Sequence, residues 1–420
     1  MVSGADIETA SRGIDGDVRA GDAVGRPDMD RSGDNNAGDK HQQKHRQPGE
    51  QQAGNDAAAA GILALHGNLL LGITHELGPW FRENGGARGS FFLMEKITVV
   101  VLGGSSLGAN PEPALKRLSD LGPEVNLKHV DKAEQVGPEL AEARVLFQWA
   151  GNREELKKVL AGAPKLEWIH GRYAGLDAIL CPELIESPVP MTNGRGSFSQ
   201  SLGEYVMCGA LYFAKDLPRM LRSKAARHWD TFDVLELSQQ TMGIVGHGDI
   251  GRAIARRAKA FGMKVFALRR DVTPRAGDED VDQVFANADL HQMLPLCDYV
   301  VAAAPLTPQT KHMLSTAEFA LMKPTAIVMN VGRGPVIDEA AIAIALESKQ
   351  IRGAALDVFE VEPLPKESPL WDMENVLISY HTADHTKDWL DDAVSLFMEQ
   401  FARWRKGEPL KNVVDKRAGY

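Results

Sequence analysis

From Lys96 onward the apolar residues come in short, unbroken runs that end in glycine, as in KITVVVLG and ARVLFQWAG. Polar-rich stretches with helical spacing, NPEPALKRLSDLG and NREELKKVLAGA, lie between and after them. KLEWIHGRYAGLD supplies a further strand and a loop. Strands that are apolar on both faces and alternate with helices predict parallel sheets covered on both sides. A long helix is expected around SQSLGEYVMCGALYFAKDL, followed by a second series of strands beginning at QTMGIVGHG. That series continues through KVFALRR, CDYVVAAAPL, AIVMNVG, GAALDVF and NVLISYH. Six strands in this order fit a complete dinucleotide-binding sheet. The last helix, DWLDDAVSLFMEQFARWRKG, is expected to pack back on the first group of strands.

Upstream the pattern fails. As far as Asp56 the chain is Asp, Gly, Gln, Asn and Ala with few large apolar residues, a composition that cannot offset its ordering entropy. Residues 1–93 are therefore read as a disordered extension, with order beginning at Met94. The many aspartates argue against an organellar presequence, which is Arg-rich and poor in acids. The apolar stretch AAAAGILALHGNLLLGIT is short and broken by His66 and Asn68, so it reads as a weak amphipathic helix rather than a membrane span.

Length and charge narrow the class. A chain of 420 residues exceeds one ordinary core, which predicts two globular domains. A net charge of −10 disfavours broad nucleic-acid or anionic-membrane binding, since both need a basic face. Cys181, Cys208 and Cys297 are widely spaced, so no disulfide framework or zinc site can be read from them. They are expected to be reduced, buried packing residues in a cytoplasmic protein, and no metal site is expected.

The first chemical signal is Gly246, Gly248 and Gly251, a GxGxxG directly after the strand MGIV. The three glycines provide a tight turn, close backbone approach to a pyrophosphate, and helix-to-strand packing. Asp249 and Ile250 open the helix whose N-terminal amides would face the phosphates. The plain alternative is a strand–helix turn without a ligand. An acid some twenty residues on is the mark of NAD, where it accepts from the ribose 2′-hydroxyl. Here that strand ends on Arg269 and Arg270. A guanidinium fork suits the 2′-phosphate of NADP, so NADP(H) is expected over NAD(H), with solvated surface arginines as the alternative.

Three later stretches carry reactive residues: NVGRGPVID with Arg333, LDVFEVEPLP with Glu360 and Glu362, and ISYHTADHT with His381 and His385. With GHGDIG and PLTPQT these motifs, in this order, resemble the D-isomer-specific 2-hydroxyacid dehydrogenases from Met94 to the C-terminus. The resemblance implies that Arg333 binds the substrate's carboxylate and keto oxygen. It implies that Glu362, rather than Glu360, supports the acid/base His381, with His385 second choice for that role. The family usually has Pro before this histidine, and Tyr380 stands there. The loop RYAGLD resembles the substrate loop, which implies carboxylate binding by the amides of Ala174 and Gly175. Pro305, Thr307 and Thr310 are implied near the adenosine or its phosphates, Val331 along the cofactor, and Asp357 at the nicotinamide carboxamide. For both threonines a helix N-cap role is an equal alternative.

The chemistry supports the trio independently. Reducing a 2-keto acid needs a hydride at carbon and a proton at oxygen, and an imidazolium is a suitable donor near neutral pH. A neighbouring carboxylate favours the charged ring, and an arginine stabilises charge developing on oxygen.

The expected fold is α/β, two Rossmann-like or flavodoxin-like domains. Residues 94–196 with 381–420 would form the substrate domain and 197–380 the nucleotide domain. The resemblance implies a homodimeric NADP(H)-dependent reductase of small 2-keto acids such as hydroxypyruvate or glyoxylate. An NAD-dependent phosphoglycerate or D-lactate dehydrogenase is one alternative. A dinucleotide-sensing protein akin to the C-terminal-binding-protein corepressors is another. Arg172 is the only obvious extra basic group that a phosphoglycerate could use in the substrate loop.

Overall fold

The computed structural model describes residues 96–104 and 111–420, so the expectations for residues 1–93 and for a start at Met94 lie outside the described residues. Among the described residues twelve strands form two sheets, and every pairing within them is parallel. The first contains β1 (Ile97–Leu102), β2 (Val125–Val130), β3 (Ala143–Gln148), β4 (Trp168–Gly171) and β5 (Met191–Thr192), in the order β2-β1-β3-β4-β5. This is the flavodoxin-like order. β1 is buried on both faces, with Val99 to Leu102 all at 0% exposure, as its unbroken β-branched run requires.

The second sheet contains β6 (Thr241–Val245), β7 (Lys264–Arg269), β8 (Gln283–Ala286), β9 (Tyr299–Ala302), β10 (Ile327–Asn330), β11 (Gly353–Leu356) and β12 (Val376–Ile378). Its order, β12-β11-β10-β9-β6-β7-β8, is the doubly wound pattern extended by one strand. The winding reverses where β6 lies between β7 and β9, and the crevice at their carboxyl ends is where such sheets take ligands.

All six strands anticipated for this sheet are present, and β8 makes a seventh. It escapes the sequence pattern because it is a four-residue edge strand with one buried residue. β2 and β5 escape it too. β2 is only partly buried along its length, and β5 has two residues.

Helix α1 (Ser199–Ala214) buries Leu202, Val206, Ala210 and Phe213 against Met329 and Ala355 of the second sheet. Its outward face carries Cys208, which is exposed, whereas Cys181 and Cys297 are buried. The expectation that all three cysteines pack inside is thus corrected by helical phase. α2 (Asp249–Ala260) follows the glycine turn. α3 (Trp389–Arg405) returns to the first sheet, as expected, and places Ala393, Val394, Phe397 and Phe401 beside Val99, Phe147 and Trp168. Phe397 stacks on Phe147 with ring centroids 4.2 Å apart and on Trp168 at 5.4 Å. No helix among the described residues is long and apolar enough to cross a membrane.

Candidate active site

His381 follows β12 at a backbone φ of +54°, a left-handed conformation that only a constrained turn holds for a non-glycine residue. The constraint comes from Asp357, just past β11. Its carbonyl accepts the His381 N–H at 2.8 Å, and one carboxylate oxygen accepts Ser379 Oγ and the amides of Thr382 and Ala383 at 2.5, 3.0 and 3.1 Å. The buried Asp357 side chain therefore organises the histidine turn, a role the sequence did not suggest. Tyr380, in the place of the usual Pro, points outward at 69% exposure and stacks on Trp371.

The imidazole Nδ1 lies 2.7 Å from Glu362 Oε2, while Glu362 Oε1 accepts the Phe359 N–H at 2.9 Å. Glu360 is elsewhere, 2.7 Å from His312 Nε2, so Glu362 is the acid beside His381. The hydrogen bond that His381 donates to Glu362 pushes the His381 pKa up against its burial and the nearby Arg333. Burial works to raise Glu362, but the bonds from His381 and the Phe359 amide outweigh it and hold the carboxyl below its usual range. Both shifts favour the charged pair. His385 instead stacks on Trp389, ring centroids 4.2 Å apart.

Arg333 leaves the carboxyl end of β10 and meets the loop after β4. Its Nε donates to Asp177 Oδ1 at 2.9 Å and its Nη1 to the Gly332 carbonyl at 2.9 Å. A Cβ on Gly175 would sit 1.7 Å from Arg333 Nη2, so any larger residue there would push the guanidinium out of this position. Neither the Ala174 nor the Gly175 amide donates a hydrogen bond among the described residues, which leaves both donors beside that arginine. Asp177, which joins the two halves of this site, was not singled out in the sequence. Its position two residues after Gly175 was the available signal.

The glycine turn fits a dinucleotide pyrophosphate. Gly246 has φ +102° and approaches Ala304 so closely that a Cβ would lie 2.7 Å from its amide nitrogen. A Cβ on Gly251 would meet the Gly246 carbonyl oxygen at 2.3 Å, whereas one on Gly248 would meet nothing within 4 Å. Two glycines are thus demanded by packing, and the third faces open space at the start of α2, where a phosphate would lie.

Comparisons with known proteins identify the family. The domain described as "D-isomer specific 2-hydroxyacid dehydrogenase, NAD binding domain" matches residues 207–383. The glyoxylate reductase of Thermococcus litoralis is 32% identical over 269 residues, 62% of this chain and 80% of that protein. The chain belongs to the D-isomer-specific 2-hydroxyacid dehydrogenase family. It is also similar to the D-3-phosphoglycerate dehydrogenase of Methanocaldococcus jannaschii, 33% identical over 310 residues, 72% of this chain but only 57% of that protein's length. Among solved structures it resembles the NADPH-dependent glyoxylate/hydroxypyruvate reductase of Sinorhizobium meliloti, determined with NADP and sulfate. That similarity has a TM-score of 0.67 and 30% identity, and it covers 77% of this chain and all of the other.

The remaining family positions are less uniform. Val331 is buried directly after β10. Thr310 Oγ1 donates to the Pro305 carbonyl at 2.6 Å and accepts the Thr307 amide at 2.8 Å, so it shapes its own turn; neither threonine caps a helix, since the next one begins at Thr316 behind Ser315. Arg269 is buried and fully engaged within the protein, while Arg270 is exposed and lies over the Tyr420 ring. His247, between the first two glycines, was not singled out. It is buried, and burial lowers its pKa to about 4, so its ring is neutral at physiological pH. Arg172 is wholly buried among Trp149, Tyr173 and Trp389, and neither of its Nη atoms reaches solvent.

Proposed function

We propose that this chain is an NADP(H)-preferring D-2-hydroxyacid dehydrogenase that reduces small 2-keto acids of the glyoxylate or hydroxypyruvate kind. The observation that carries the reading is the 2.7 Å His381–Glu362 pair, which stands with Arg333 among the groups whose charge acts on it. A bound dihydronicotinamide would supply the hydride. Arg333 and the free amides of Ala174 and Gly175 hold the substrate carboxylate, and the guanidinium stabilises charge as it develops on the keto oxygen. His381, charged and fixed by Glu362 through Nδ1, delivers its Nε2 proton to that oxygen. In the oxidative direction the neutral ring removes the hydroxyl proton.

The NADP half of the proposal rests on Arg270 and Arg275, which are exposed near the end of β7. The small-substrate half is supported by Arg172. The one basic side chain that a phosphoglycerate could have claimed in the substrate loop is sealed among aromatic rings. A homodimer is proposed with the same reading.

Initial rates with NADPH and NADH, on hydroxypyruvate and on glyoxylate, test it. The expected result is turnover with an NADPH preference, and a loss of about 10²–10⁴-fold in His381→Ala. No turnover with either cofactor on either acid would overturn the proposal.

A further inference from the structure

Arg269 ends β7, where a dinucleotide's adenine ribose lies in sheets of this kind, yet its fork is already filled. Nη1 and Nη2 donate to Asp278 Oδ1 and Oδ2 at 2.5 and 2.7 Å, a bidentate pair. Nε donates to the Asp271 carbonyl at 2.6 Å and Nη2 also to the Thr273 carbonyl at 2.8 Å. The side chain is 5% exposed. The acid comes from the loop that follows β7, which folds back over the glycine turn. Asp278 Oδ2 also accepts the Arg275 amide at 3.0 Å, and Oδ1 lies 3.4 Å from His247 Nδ1. Arg275 Nη2 in turn donates to the His247 carbonyl at 2.7 Å, and Gly277 lies against Arg252.

One carboxylate thus sits among the guanidinium of Arg269, the ring of His247 and the base of the Arg275 loop. A planar two-oxygen anion on a guanidinium fork is also the arrangement in which arginine binds a phosphate. We propose that Asp278 is the cofactor-specificity residue of this site: it fills, in the protein alone, the place a 2′-phosphate takes, and NADP binds by displacing it. A ribose with a bare 2′-hydroxyl leaves Asp278 in place as a hydrogen-bond acceptor. The 2′-phosphate cannot share the fork with it, because like charges in contact repel. Asp278 therefore narrows whatever preference for NADP the arginines confer. This inference rests on the reading that the glycine turn takes a nicotinamide dinucleotide.

The test is calorimetric titration of the full chain with adenosine 2′,5′-bisphosphate and with adenosine 5′-monophosphate, in the wild type and in Asp278→Asn. The amide keeps the shape and one acceptor while removing the charge. Bisphosphate affinity is expected to rise about fivefold or more in the variant, with monophosphate affinity unchanged or lower. NADPH KM should fall relative to NADH KM in step. A thermal melt gives a second readout. Removing the charge leaves Arg269 under-compensated and lowers Tm, and the bisphosphate should restore more of it in the variant than it adds to the wild type. Equal changes for both nucleotides, or weaker bisphosphate binding in Asp278→Asn, would overturn the role of Asp278 and leave the dinucleotide reading intact. Failure of the wild type to bind either nucleotide would remove both.

Discussion

In the proposed reaction His381 donates a proton only while charged, and its contact with Glu362 favours that form. Glu362 raises its pKa, so the reductive rate is full below that pKa and is lost as pH rises through it. In Glu362→Gln the falling limb of the reductive kcat profile should move to lower pH, with kcat at neutral pH down about tenfold or more. The oxidative reaction, which needs the neutral ring, should gain activity at lower pH than in the wild type. An unmoved limb would show that Glu362 does not set the charge of His381. The residues that meet at the candidate site, Arg333, Glu362 and His381, were legible in the sequence because each lies in a distinctive short motif that follows a strand. What holds them was not. Asp357 reads as a ligand contact in a linear sequence, and only the left-handed turn at His381 shows why its carboxylate must gather Ser379, Thr382 and Ala383. Arg269 misleads in a similar way. A terminal arginine looks free until a partner nine positions away, in a loop without apolar periodicity, is seen to close on it.

At the scale of elements, the turn between β6 and α2 tolerates almost nothing. A methyl on Gly251 would be driven into the Gly246 carbonyl, and backbone cannot swing aside as a flexible side chain can. Gly251→Ala should therefore abolish dinucleotide binding in a titration even where circular dichroism shows a folded chain. Retained affinity would mean that the turn can open without loss of its phosphate geometry. Gly248→Ala, with open space at its Cβ, separates the two effects by interfering with a ligand rather than with packing. The strands with unbroken apolar runs were all legible, since burial on both faces imposes that composition. β2, β5 and β8 were not, because edge position and brevity remove the constraint that writes a pattern. Phe397 marks how strongly α3 is tied to the first sheet. Its ring is wholly buried between Phe147 and Trp168, and Phe397→Ala should cost about 3–5 kcal/mol in urea denaturation. A loss under about 1 kcal/mol would show that the helix is dispensable.

Across the molecule, the two sheets meet chemically at Arg333 and Asp177, one from each. Their side chains are 27% and 31% exposed, and a pair so accessible contributes at most about 0–1 kcal/mol. Its value is positional: it aims the guanidinium at the loop that carries Ala174 and Gly175. Asp177→Asn should thus raise the substrate KM several-fold with little change in Tm, and a large Tm loss with unchanged KM would reverse that assignment. The same long-range organisation has a consequence for synthesis. The face of β1, β3 and β4 that carries Val99, Phe147 and Trp168 is covered by Ala393 to Phe401, which leave the ribosome some two hundred residues after β4. Until then only Ala114, Leu115, Leu118 and Leu121 lie against that apolar surface, and the rest of it is open to chaperones or to aggregation. Of the two sheets, the one translated first is the one completed last.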